Sequence, residues 1–120
     1  MARVAFQATK SAFEADDDVL ACGVADDEDT YLIFQRAPEG ADDDGVYLEH
    51  KDQINGGYGC IRHCTLDRTR LTVDLLTQLG GLKDVEGFDV RLEIEDSHYA
   101  ALRAGLQQIF RGQAHLLTVA

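Results

Sequence analysis

The chain has 120 residues, 45% of them apolar and only one proline, a make-up that fits one folded domain over residues 1–120 and leaves no room for a long linker. The formal net charge of −11 argues against direct nucleic-acid binding, which needs clustered Lys and Arg to neutralise phosphates. No stretch approaches the roughly 18 apolar residues of a membrane-spanning helix, and the first residues carry no apolar signal core, so a soluble cytoplasmic protein with no membrane partner is expected.

In chain order, Arg3 to Ala8 reads as a strand, and Val19 to Val24 as a second, short and apolar. Asp16-Asp17-Asp18 and Asp26-Asp27-Glu28-Asp29 flank the second one, as solvated turns in which like charges can spread apart. Tyr31 to Arg36 is apolar on both alternating faces, which suits an interior strand. Ala37 to Gly45 is a loop holding Pro38, Gly40 and a third acidic run, Asp42-Asp43-Asp44. Residues 1–52 carry nearly all of the charge, 14 carboxylates against Arg3, Lys10, Arg36 and Lys51. A surface so lopsided favours a basic protein partner.

From Val46 the alternation of Val46, Leu48 and His50 with Tyr47, Glu49 and Lys51 begins a meander. Its reversals are expected at Asn55-Gly56-Gly57, a strong hairpin signal, and at Asp67-Arg68-Thr69, with Leu71, Val73 and Leu75 alternating beyond. Gly80-Gly81 marks another turn, and Phe88, Val90, Leu92 and Ile94 form an amphipathic strand. The period then becomes helical. Tyr99, Leu102, Leu106, Ile109 and Phe110 fall on one stripe, with Asp96 or Ser97 placed to cap the start and Gly112 to end it. Leu116 to Val119 returns as a short edge strand. Strands followed by one helix, without βαβ alternation, predict an α+β fold: a mostly antiparallel sheet, a meander of about 5–7 strands, with one C-terminal helix packed on one face.

Cys22, Cys60 and Cys64 are an odd set, as expected of reduced thiols with no disulfide frame. Cys60, His63 and Cys64 carry donors that zinc prefers, but on a strand Cys60 and Cys64 sit about 13 Å apart and His63 faces the other way. His63 and Cys64 cannot act as base and nucleophile for the same reason. His50, His98 and His115 have no partner visible in the sequence. Consecutive Asp residues fan outward and lack the spacing of a calcium loop. No nucleotide, dinucleotide, serine-hydrolase or zinc-protease motif is present, so neither catalysis nor a cofactor or metal is expected.

The run YLIFQR before an acidic loop, VYLEHKDQINGGYGCI with Glu49, Gln53, Gly57, Tyr58 and Gly59, then TLDRTRLTVDL and FDVRLEIEDSHYAALRAGLQQIFRG, together resemble the bacterial immunity protein 10 family of polymorphic toxin systems. The resemblance spans Tyr31 to Gly112. It implies a small α+β protein, not an enzyme, that binds a cognate toxin domain and blocks it in the producing cell or its siblings. An acidic domain without reactive groups suits an inhibitor of a basic effector. The family supplies no catalytic residues to carry over, so partner contacts are chosen on physical grounds: Asp42, Asp43 and Asp44 with Tyr47, Glu49 and Tyr58 on the outward face. The alternative is a small ligand- or metal-binding domain, hydrolytic in its strongest form, working through Asp and His side chains.

Overall fold

The computed structural model describes residues 2–38 and 45–120. Within them the elements run β1 (Ala2–Ala8), β2 (Lys10–Ala15), β3 (Leu20–Ala25), β4 (Tyr31–Arg36), β5 (Tyr47–His50), β6 (Asp52–Tyr58), β7 (Ile61–Leu66), β8 (Arg70–Leu75), β9 (Val85–Leu92), α1 (Asp96–Ile109) and β10 (Leu117–Val119). The strands divide into two five-stranded sheets, ordered β1-β9-β8-β7-β10 and β2-β3-β4-β5-β6. Among the described residues β1–β9 and β7–β10 are parallel pairs; the other pairings are antiparallel. The fold is α+β and mostly antiparallel, with more strands than the meander suggests and with two sheets in place of one. Thr9 alone separates β1 from β2, so the chain steps there from one sheet into the other.

Alternation decides which side chains meet between the layers. Leu32, Phe34 and Leu48 of the second sheet and Phe88, Val90, Leu71 and Val73 of the first are fully buried, in one apolar cluster. The helix shares the inner side of the second sheet: Cys22 Sγ donates to the Leu102 carbonyl at 3.7 Å, and a Cβ on Gly105 would stand 2.7 Å from the Phe13 ring. Leu102, Leu106, Ile109 and Phe110 are buried, as the helical stripe predicts.

The start of the helix differs from expectation. Glu95 is the N-cap and makes no side-chain capping bond. Asp96, in the first turn, accepts instead from Arg68 Nε (3.0 Å) and Nη2 (2.8 Å), and the guanidinium lies 5.2 Å over the Tyr99 ring. A side-chain cap contributes about 1 kcal/mol. Four buried apolar residues contribute about 1.5–3 kcal/mol each, so packing holds this helix without the cap.

The second correction concerns Asn55-Gly56-Gly57, which is no reversal but the middle of β6. The chain turns at Lys51, whose φ is 65°. The glycines answer a different need: the Tyr47 ring lies over Gly56, where a Cβ would come 2.7 Å from Cζ, and a Cβ on Gly57 would reach Cys60 Sγ at 3.0 Å. Asn55 Nδ2 donates to the His50 carbonyl at 3.1 Å. The turn at Asp67 is as expected: its carboxylate accepts from the Thr69 N–H at 2.9 Å and hydroxyl at 3.2 Å, which holds its pKa below the usual value.

His50 is buried between the layers, 5.0 Å from the Phe88 ring and 6.1 Å from Phe6, with Nδ1 2.9 Å from the Tyr31 carbonyl. Burial lowers its pKa, against that hydrogen bond, so the folded protein holds the neutral ring. The unfolded chain then binds the extra proton first. Stability is full above 6.5, the ordinary value, and falls as pH drops toward the depressed folded pKa. Melting temperature should decline from pH 7.5 to 5.5, and His50→Gln should flatten that slope. The carboxylates whose pKa is lowered, Asp16, Asp26 and Asp67, act in a separate window below 3.8. An equal slope in wild type and variant would remove His50 as the cause.

Candidate functional site

Facing away from the helix and the first sheet, the second sheet presents an open face. Strand register sets its rows. Ala12 pairs with Gly23, Gly23 with Ile33, Ile33 with Glu49 and Glu49 with Gly56, so one row crosses all five strands. The adjacent row runs through Glu14, Ala21, Gln35, Tyr47 and Tyr58. The small residues of β3 leave a shallow depression lined by Ala12, Ala21, Gly23, Ala25, Tyr31 and Ile33. Ile33 leans over Gly23, where a Cβ would stand 3.2 Å from Ile33 Cγ1.

Of the residues chosen from sequence, Tyr47, Glu49 and Tyr58 come together here. The Tyr47 and Tyr58 rings pack with centroids 5.2 Å apart, and Tyr58 is 56% exposed. Tyr47 Oη donates to Glu49 Oε1 at 2.7 Å, and Tyr31 Oη to Glu49 Oε2 at 2.6 Å. Burial, then the bond to Glu49, raises both phenols to about 12, so both remain donors throughout the physiological range. Asp42, Asp43 and Asp44 lie outside the described residues.

Tyr31 is the member that sequence reasoning missed. It read as one more apolar strand residue, and only the pairing of β4 with β5 brings its hydroxyl to Glu49. The small face of β3 was equally hidden. Its signal, Ala21, Gly23 and Ala25 at every second position, is legible once the strand is placed at Leu20–Ala25.

Two acidic turns bound the face at the strand ends. In each, one carboxylate folds inward: Asp16 Oδ1 accepts from the Asp18 and Val19 N–H groups, both at 2.8 Å, and Asp26 Oδ1 from those of Glu28 (2.7 Å) and Thr30 (2.9 Å). These backbone donors hold both pKa values below the usual carboxylate range. The neighbouring carboxylates are spread into solvent, except that Asp27 meets Thr9 Oγ1 at 3.1 Å and Lys10 Nζ at 3.5 Å.

The sulfur and imidazole groups do not converge. Cys64 is buried in the core, and burial pushes its thiol pKa far up; Cys22 is raised to about 12 for the same reason. Cys60 Sγ donates to carbonyls of Tyr58 and Gln78, while His63 Nε2 lies 2.8 Å from Thr118 Oγ1 on the far side of β7. Among the described residues no three His, Cys, Asp or Glu side chains are placed to hold a metal ion. None of the described helices is long and apolar enough to cross a membrane.

These features define a class of protein: a small two-sheet α+β domain whose polar and aromatic side chains are displayed on an open sheet face. The family model for immunity protein 10 matches residues 7–100, and the chain belongs to that family. That membership carries an immunity function in general, directed at a toxin. No curated protein and no solved structure gives a significant match.

Proposed function

We propose that this protein binds and neutralises a cognate bacterial toxin domain by occlusion, in the cytoplasm and without catalysis of its own. The observation that carries the reading is the fixed cluster of Tyr47, Glu49 and Tyr58 on an open sheet face bounded by acidic turns. Aromatic side chains supply buried contact area at small entropic cost, and the surrounding charge steers encounter with a basic effector. The family membership supports the toxin as target, and the charge of −11 supports a basic one. By charge alone, Asp42, Asp43 and Asp44 are proposed to share in that steering.

Co-expression with the product of the adjacent gene tests the function. Growth should be restored when this protein is present; a neighbour that is harmless, or that still kills, removes the reading. Asp42, Asp43 and Asp44 changed together to Asn should slow association about threefold to tenfold at low ionic strength and flatten its salt dependence. An unaltered association rate would take the steering role away from that run.

A further inference from the structure

We infer that Glu49 is the seat for a guanidinium or ammonium group of the toxin, on a docking surface formed by the open face of the second sheet, with an apolar side chain of the same partner filling the adjacent depression. The inference rests on the toxin-binding reading and adds the face and the chemistry of the contact.

Glu49 is the one charged residue in the row from Ala12 to Gly56, and among the described residues it has no ion-pair partner. Each of its oxygens accepts a phenol hydrogen. A carboxylate offers about four acceptor positions, so each oxygen keeps one for a donor arriving from outside. The phenols also fix the carboxylate's orientation before the partner arrives, which lessens the entropy lost on binding. The packed Tyr47 and Tyr58 rings lie on the same face, so the carboxylate is set among aromatic surface that the rest of the partner's side chain can cover. Arg, planar and donating through a fork, fits such a site best; Lys would reach it as a point charge.

Next to this seat, Ala21, Gly23 and Ala25 keep the surface low, and the Ile33 side chain forms a wall. That depression suits an apolar side chain near the basic one. Carboxylates in the β2–β3 and β3–β4 turns then form a rim at opposite ends of the strands, the arrangement of an interface with a dry centre and a charged border. A second copy of this chain fits poorly. Two copies meeting on a two-fold axis would set Glu49 and both rims against the same charges.

The measurement is affinity between the purified protein and the toxin domain encoded by the adjacent gene, with dissociation rates. Glu49→Gln retains an acceptor for one tyrosine and removes the charge; affinity should fall at least about 30-fold, chiefly through faster dissociation. Ala12→Arg, at the exposed margin of the depression, should weaken binding by about 100-fold or more by placing a like charge against the basic partner. Gln7→Arg, which adds the same charge on the exposed side of the first sheet, should bind within about twofold of wild type. Wild-type affinity from both Glu49→Gln and Ala12→Arg overturns the assignment of this face while leaving toxin binding intact. So does a loss confined to Gln7→Arg. Failure of the wild type to bind removes the toxin reading and this inference together. A wild-type dimer that Ala12→Arg converts to monomer in sedimentation would give the face to a second copy and also overturn it.

Discussion

Gly87→Ala should destabilise the protein by about 3–4 kcal/mol, lowering the melting temperature by about 10–15 °C, although alanine is the smallest change available. Gly87 lies in β9 with an ordinary negative φ, so its need is space and not conformation. A Cβ there would land on the Val73 carbonyl oxygen of the neighbouring strand β8, and 2.6 Å from Arg3 Nη1. Backbone cannot swing aside as a side chain can. The clash can be relieved only by shifting the β8–β9 pairing, in which Asp74 faces Gly87 and Val73 faces Phe88, and that register carries the centre of the core. The same shift would displace the Arg3 guanidinium, which lies over Gly87 and bridges Asp74 and Asp89 at 2.9 Å each. Both carboxylates are partly solvent-exposed, so the ion pairs themselves contribute little beside the packing. Gly59→Ala is the matched control. Its φ is 67° but nothing lies within 4 Å of the added carbon, so only the left-handed backbone is strained, at about 1 kcal/mol. Equal melting temperatures for the two variants would show that the Val73 carbonyl yields easily and that close approach does not matter here.

Arg36→Met should cost about 3 kcal/mol by urea denaturation, with the loss concentrated at the end of the helix. Arg36 is 9% exposed at the end of β4, on the inward side. Its Nη1 donates to the carbonyls of Ile109 (2.8 Å) and Arg111 (2.5 Å), two groups that no later helical turn can satisfy. A cation at that place also meets the negative end of the helix dipole. Arg111 Nη2 returns a bond to the Ala37 carbonyl at 2.6 Å, so strand end and helix end are held together from both sides. Methionine fills the volume but leaves the buried Ile109 carbonyl and the partly buried Arg111 carbonyl without this donor, which costs more than the neutral exchange of one hydrogen bond. Arg36→Lys should fall between the two, since one ammonium cannot keep both carbonyls in the geometry of a guanidinium. A methionine variant as stable as wild type would show that water reaches both carbonyls.

Much of this arrangement was legible in the order of residues. β4 reads as interior because both of its faces are apolar, and it is the middle strand of its sheet. The stripe from Tyr99 to Phe110 reads as a helix because the period is helical, and its buried members are the expected ones. Asp67 marks a turn because a short carboxylate can bond the backbone two residues on. Tyr47, Glu49 and Tyr58 share a face because alternation places Tyr47 with Glu49, and cross-strand pairing adds Tyr58. The strand β2 escaped notice because KSAFEA carries a single large apolar side chain, Phe13, which needs the helix above it to be buried.

Alternation and period are local properties, so the sequence by itself determined most of the strand positions, though not β2 or β6, the place of the helix, the faces turned inward and the strongly acidic surface. It could not determine what each inward face packs against. Ten strands in one sheet and ten in two leave the same trace along the chain, and the choice rests on hydrogen-bonded pairings between distant segments, such as β1 with β9. The tertiary structure also decided the purpose of the glycines: Gly56 and Gly87 exist for the approach of Tyr47 and Val73, neighbours that no local rule identifies. Glu49 became a held carboxylate partly on the same terms: Tyr47 is two residues away on its own strand, but Tyr31 comes from β4, and only the register of β4 against β5 brings that second phenol to it.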